Sequence, residues 1–326
     1  MIAYLFRRLL NLIPTFFIAT FLAWIVIELA PGDFASQFAF DQLDPGRAER
    51  IRQSLGLDQP WYVRYFYWLR NVVTGFDFGT SMTTRGDVTN LIWPRMVNSL
   101  TLLLPATILT YLIAIPIGVY SAVRKYSLGD RALTIFSLIG LAIPNFFLAL
   151  LVVAFAVQFF QANGYLLIPV GGMTSQNHAQ LSAWGQFADR LWHLIAPMLV
   201  IALSGLASIS RFMRGEMLEV LGQDYIRTAR AKGLSERVVN YKHGLRNAVI
   251  VIVATIGGVL PSLISGAGSV EYVLRWPGIT PLFLRSIYAQ DIYVIMALLT
   301  ILTLLLMIGN LISDIALALI DPRIRY

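Results

Sequence analysis

Six long apolar runs divide the chain, at Leu9–Leu29, Ser99–Ala122, Ala132–Phe160, Leu191–Ser210, Ala248–Val270 and Ile292–Ser313. A helix needs roughly 20 apolar residues to cross about 30 Å of hydrocarbon, and each run is long enough. Glu28 and His193 are the only Asp, Glu, Lys, Arg or His residues inside the runs, and both sit near an end. The last run extends toward Ile320, which would bring Asp314 near its end. The pattern predicts an all-α integral membrane protein with six transmembrane helices. It divides into an N-terminal span plus polar segment (residues 1–98) and a core of five spans (residues 99–326), with a polar loop at residues 212–247.

The polar stretches carry their own signals. In Ala30–Asn98, Pro45–Leu55 reads as a charged helix ended by Gly56, and Trp61–Leu69 is dense in aromatic residues. Trp and Tyr favour the headgroup layer, so that stretch predicts an amphipathic helix lying there; the alternative is a ledge that touches substrate or a docking protein. Glu216–Asn247 reads as two short helices with a hinge. Asp224 is placed to cap a helix from Tyr225 to Lys232, Gly233 to close it in the left-handed conformation, and Ser235 to cap a second from Glu236 to His243. Ala229, Ala231 and Gly233 would keep part of this surface low enough for another protein's backbone to approach. Helix breakers recur within the runs, among them Pro105, Pro116, Gly140, Pro144, Pro197 and Gly309. They fit either close helix packing or hinges. The densest cluster of small and hydroxyl residues, Gly257–Ser269, marks Pro261, Ser262, Ser265, Gly266 and Gly268 as candidates to line a path through the membrane. Beyond it, Glu271 and Arg275 have the four-residue spacing of a helical ion pair.

Composition agrees: 57% of the 326 residues are hydrophobic and 13% charged, against about 25% charged in soluble domains. The first run is too long for the apolar region of a cleavable signal. The net charge of +7 invites a nucleic-acid reading, but its distribution is topological. Arg7 and Arg8, then Arg124, Lys125 and Arg131, then the basic loop, then Arg323 and Arg325 all fall on one side of six spans. The positive-inside rule makes that side the cytoplasm and places both termini there. Ala30–Asn98, on the other side, balances seven arginines against seven aspartates and glutamates. There are no cysteines, hence no disulfides or thiolate metal sites. The three histidines, His178, His193 and His243, lie far apart along the chain with no acidic cluster to complete a metal site. Neither a phosphate-cradling Gly-x-x-x-x-Gly-Lys-Ser/Thr loop nor a Gly-x-Ser-x-Gly elbow occurs. A proton-coupled carrier would be expected to place ionisable groups deep in its spans, and here the span centres are apolar. A stand-alone channel, a secondary carrier and a membrane-bound enzyme are the rival classes; the last two lack their chemistry, and a channel would need no ATPase and no coupling helices. The expectation is a transport subunit with no cofactor of its own, driven by a partner.

Asp224-Tyr225-Ile226-Arg227-Thr228-Ala229-Arg230-Ala231-Lys232-Gly233-Leu234, followed by His243-Gly244-Leu245-Arg246-Asn247-Ala248, closely resembles the cytoplasmic loop of ABC-transporter permeases of the dipeptide/oligopeptide (peptide/nickel) import family. Ala30-Pro31-Gly32-Asp33, Leu55–Pro60, Phe78-Gly79-Thr80-Ser81, Val270–Ile279 and Leu319–Arg325 resemble that family's signatures elsewhere, so the likeness covers nearly the whole chain in order. Two departures are Phe76, where the family commonly begins a Gly-Asp-Leu-Gly run, and Leu274, in a usually aromatic place. The resemblance implies a type I ABC importer permease fold. It makes the loop a coupling segment whose short helix docks in a groove of the ATPase subunit, through Asp224, Tyr225, Arg227, Thr228, Ala229, Arg230, Ala231, Lys232, Gly233 and Leu234. Gly233 is the aligned glycine, with Arg227-Thr228-Ala229 where other branches carry Glu-Ala-Ala. The implied partners are a second homologous permease, two ATPase subunits that bind ATP and Mg, and an extracytoplasmic solute-binding protein, at a bacterial or archaeal cytoplasmic (inner) membrane. The implied activity is import of di- or oligopeptides or a related small solute by alternating access; permeases for nickel, glutathione and oligosaccharides share the pattern.

Overall fold

The computed structural model describes residues 2–38, 44, 46–255, 257, 259 and 267–320. In chain order the helices are α1 (Ile2–Glu28), α2 (Arg47–Ser54), α3 (Trp61–Gly75), α4 (Val88–Val123), α5 (Leu128–Ala142), α6 (Asn145–Asn163), α7 (Ala183–Leu221), α8 (Asp224–Ala231), α9 (Arg246–Thr255), α10 (Gly268–Val273), α11 (Ile279–Tyr288) and α12 (Ile292–Ile320). Short 3-10 turns at Phe34–Phe38 and His178–Gln180 and a π-helical stretch at Val238–Leu245 join them. Among the described residues there is no β-strand, only an isolated antiparallel bridge between Thr80 and Asp87.

Among the described residues five helices are long and apolar enough to cross a membrane: Leu10–Glu28 of α1, α4, α6, α7 and Ile292–Leu317 of α12. The third expected span is not one helix. It breaks between α5 and α6, where Ile143 is extended (φ −93°, ψ 116°) and Pro144 caps α6. Steric conflict with the proline ring pushes the preceding residue out of the helical region. α4, by contrast, runs unbroken through Pro94, Pro105 and Pro116. The fifth expected span, Ala248–Val270, is described as α9 up to Thr255 and again as α10 from Gly268. Pro261, Ser262, Ser265 and Gly266 lie outside the described residues.

The chain divides into two compact units, residues 1–98 with 278–308, and residues 99–277 with 309–325. In the first, α3 lies against α1. Trp24 stacks at 5.7 Å from Tyr65 and 5.8 Å from Trp68, and the Thr20 hydroxyl lies 3.2 Å from that of Tyr65. The opposite face of α3 exposes Tyr62, Phe66, Tyr67 and Val73, so the aromatic stretch is a two-faced helix. Ser81 of the Phe78–Ser81 signature is buried, and its hydroxyl donates to Asp291 at 2.7 Å. That bond ties the signature to the entry of α12.

In the second unit α7 is the axis. Its 39 residues span about 58 Å at 1.5 Å per residue, nearly twice the hydrocarbon thickness. α5 packs along it, with Gly140 facing Ala207 so closely that a Cβ on the glycine would come within 2.9 Å. Gly257 and Gly309 approach backbone to backbone: a Cβ on Gly257 would meet the Gly309 carbonyl oxygen at 2.8 Å. Val119 and Ala122 of α4, Met213 and Met217 of α7 and Ala248 and Ile252 of α9 form one buried apolar cluster near the end of α7.

Candidate functional site

α7 carries α8 at its tip, with only Gly222 and Gln223 between them. Ile226 and Ala229, three residues apart and therefore on one face, are buried against Val239, with Leu221 packed alongside. Tyr225, Arg227, Thr228, Arg230 and Ala231 are exposed on the rest of the surface. Ala229 thus faces inward, against the expectation that it would keep the outer surface low; Ala231 and Gly233 are exposed and do so. Asp224 does not cap α8. The capping position is Gln223, with no side-chain bond to the helix start, and Asp224 is the first helical residue. Its carboxylate instead accepts from Arg227 at 3.4 Å, a solvent-exposed pair that contributes little.

Gly233 follows with φ of +77°, a conformation that disfavours side chains. Arg230 forks across this turn to Glu236, Nε to Oε1 at 2.9 Å and Nη2 to Oε2 at 3.4 Å. The second short helix expected to end at His243 does not end. From Glu236 the chain passes through the π-helical stretch directly into α9. Gly244 allows this, because a Cβ there would come within 2.8 Å of the Met217 side chain. Lys232 caps α8 and, with Leu234, stays exposed at the turn.

Two residues that sequence reasoning did not single out as a pair anchor the stem of this hairpin. Arg214, two turns before the end of α7, forks onto Asp130 of α5, Nε to Oδ1 at 2.8 Å and Nη2 to Oδ2 at 2.9 Å. Asp130 also accepts from the Tyr126 backbone N–H at 2.8 Å, and Ser127 caps α5 by accepting from the Asp130 N–H. The hydrogen bonds from Arg214 outweigh the effect of burial and hold the Asp130 carboxyl below the usual carboxylate range. No local signal could have found the pair, since 84 residues separate its members.

The other candidates disperse. Gly268 is buried at the start of α10. Glu271 is fully buried and accepts from the buried Ser99 hydroxyl. Arg275 is exposed with φ of 51°, beyond the end of α10, so the expected helical Glu271–Arg275 pairing does not form. Two of the three histidines, far apart in sequence, are brought together: His178 Nδ1 lies 2.7 Å and His193 Nδ1 3.3 Å from the Asp189 carboxylate, which also accepts from the Ser175 N–H and hydroxyl. Among the described residues no group of three or more His, Cys, Asp or Glu is arranged to hold a metal ion.

A multi-span helical chain with a short helix carried on an overlong one, and with no catalytic constellation among its described residues, has the build of a membrane transport subunit. Residues 114–326 match the family "Binding-protein-dependent transport system inner membrane component", and residues 1–103 match "Binding-prot-dependent transport system membrane comp, N-term"; the chain belongs to this family of ABC-importer permeases. It is 43% identical over 328 residues to the "Oligopeptide transport system permease protein AppB" of Bacillus subtilis (strain 168), covering all of both chains. It is 36% identical over 329 residues to the "Oligopeptide transport system permease protein OppB" of Mycobacterium tuberculosis (strain ATCC 25618 / H37Rv), covering all of this chain and 99% of the other. It is 36% identical to the "Glutathione transport system permease protein GsiC" of Escherichia coli (strain K12) over the full length of both. The chain is accordingly a multi-pass membrane permease and not an enzyme.

Proposed function

We propose that this chain is one of two homologous permease subunits of an ATP-driven importer of di- or oligopeptides, and that α8 is its ATPase-coupling helix. The observation that carries the reading is the geometry of α8. It is short, packed by its buried Ile226–Ala229 face on Val239 of the π-helical stretch with Leu221 at the end of α7 alongside, and presents Tyr225, Arg227, Thr228, Arg230, Lys232 and Leu234 outward around a left-handed glycine. A rigid exposed helix on a long lever is what a groove in another protein can push. In this reading two ATPase subunits bind ATP and Mg, seat α8 on the cytoplasmic face, and move α7 as they close. ATP binding biases the span packing only through its different affinity for the two states. An extracytoplasmic solute-binding protein delivers the cargo. Six spans in the cytoplasmic membrane with both termini inside, a division at residue 98, and a translocation path past Pro261, Ser262, Ser265, Gly266 and Gly268 complete it. Full-length similarity to a glutathione permease supports a second cargo, a modified tripeptide. The test is the reconstituted transporter with its binding protein. Stimulation of ATP hydrolysis by oligopeptides supports the first cargo, stimulation by glutathione alone the second, and hydrolysis indifferent to both overturns the peptide reading.

A further inference from the structure

The unit of residues 1–98 and 278–308 holds a cavity of about 740 Å³ that has no part in the coupling reading. Its walls are sorted by polarity. Val26 in the last turn of α1, with Ile295 and Leu299 in the first turns of α12, lines an apolar part. Glu28, Asp33, Arg52 and Arg64 line a charged part. One helix long and apolar enough to cross a membrane ends at Glu28 and another begins at Ile292, which puts the border between the two parts at a membrane surface whichever way the chain is inserted. Leu299 lies seven residues into α12, about 10 Å at 1.5 Å per residue, within the hydrocarbon.

The charged part is balanced but incompletely satisfied. Arg52 donates Nε and Nη2 to Asp33 and Nη1 to Glu49. Arg64 donates Nη2 to both oxygens of Glu28, at 2.6 and 2.8 Å, and its side chain is only 10% exposed. Its Nε–H is buried and has no acceptor among the described residues. A buried charged donor left unpaired is unfavourable, and the Arg64 side chain that carries it lines this cavity. Two guanidinium groups and two carboxylates leave no net charge for an anion to neutralise, so a matching ligand brings an acceptor and a positive group together. It also brings an apolar tail, because the deep part of the cavity offers no polar partner.

We propose that this cavity binds a phospholipid with a zwitterionic phosphoethanolamine headgroup from the adjoining leaflet. A phosphate oxygen accepts from the Arg64 guanidinium where that side chain lines the cavity, the ammonium sits against the Glu28 and Asp33 carboxylates, and an acyl chain lies along Ile295 and Leu299. A transported peptide fits less well, since its backbone would leave polar groups unpaired at hydrocarbon depth.

The test uses the assembled transporter, equilibrated in mixed micelles holding equal amounts of phosphatidylethanolamine and phosphatidylglycerol, with retained lipids counted by native mass spectrometry. The wild type should retain one phosphatidylethanolamine in clear preference to phosphatidylglycerol, and excess free phosphoethanolamine should not displace it. Arg64→Gln should lower retention about tenfold, the loss of one charge-assisted bond. Leu299→Trp, which fills the apolar part and leaves Arg64 and Glu28 paired, should lower it as much; it carries the test alone if Arg64→Gln does not assemble. Wild-type retention in an assembled Leu299→Trp transporter, equal retention of phosphatidylglycerol, displacement by the free headgroup, or a bound peptide in place of lipid would each overturn the proposal.

Discussion

Phe76 holds a backbone angle that glycine would hold at lower energy. It closes α3 at φ 53° and is 70% exposed, so its ring gains little by being there. A non-glycine residue in this conformation costs about 1–2 kcal/mol. Phe76→Gly should therefore stabilise the subunit by about 1 kcal/mol, read as a higher thermal midpoint in detergent; a lower midpoint would show that the ring is held by contacts of its own. Gly233 poses the opposite case. None of the described residues lies within 4 Å of a Cβ built there, so Gly233→Val meets no clash with them and suffers only backbone strain of about 1 kcal/mol and whatever an outside partner imposes. The subunit should insert normally yet lose ATPase subunits on purification and lose uptake. Wild-type retention and uptake would sink the coupling role. Because Asp224 makes no capping bond, Asp224→Ala removes a favourable charge at a helix start, about 0.3–1 kcal/mol, and the exposed pair with Arg227. Its defect should be milder than that of Gly233→Val in the same assays.

Among the elements, α7 matters most, and Asp130–Arg214 is its tie to the α4–α5 turn. The Asp130 side chain is 3% exposed, and breaking a buried pair by removing one partner costs roughly 3–5 kcal/mol. Arg214→Gln should thus destabilise the subunit strongly, and Asp130→Asn nearly as much. The pH dependence follows from the direction of the shift. The folded carboxyl ionises at lower pH than the unfolded one, so its contribution is complete above about pH 4 and is lost as the pH falls through the depressed value. Between about pH 6 and pH 3 the thermal midpoint of wild type should fall more steeply than that of Asp130→Asn. Parallel curves would mean that the pair adds nothing to stability.

At the scale of the molecule, the basic residues of Arg124–Arg131 and Glu216–Asn247 against the charge-balanced Ala30–Asn98 set the expected orientation. The chain has no cysteine, so single cysteines at exposed Thr84 and Ser235 report directly. An impermeant thiol reagent added to intact cells should label Thr84→Cys and spare Ser235→Cys. The reverse pattern would invert the topology.

Hydropathy, chain length and local end signals read well from the sequence because each depends on neighbours along the chain. Such local features marked out the apolar runs, the helix α2 before Gly56, the aromatic helix α3 and the turn at Gly233. Contacts between distant residues were not legible. Proline is tolerated in α4 at Pro94, Pro105 and Pro116 but separates α5 from α6 at Pro144, a difference the proline ring, the same at each site, does not decide by itself. Ala229 turned inward because Val239 returned to cover it, and Asp224 lost its capping role because the helix began one residue early. Asp130 met Arg214 and Ser99 met Glu271. Pairings of this kind are decided by packing in three dimensions, where a charge takes the partner that burial brings within reach, at whatever distance along the chain.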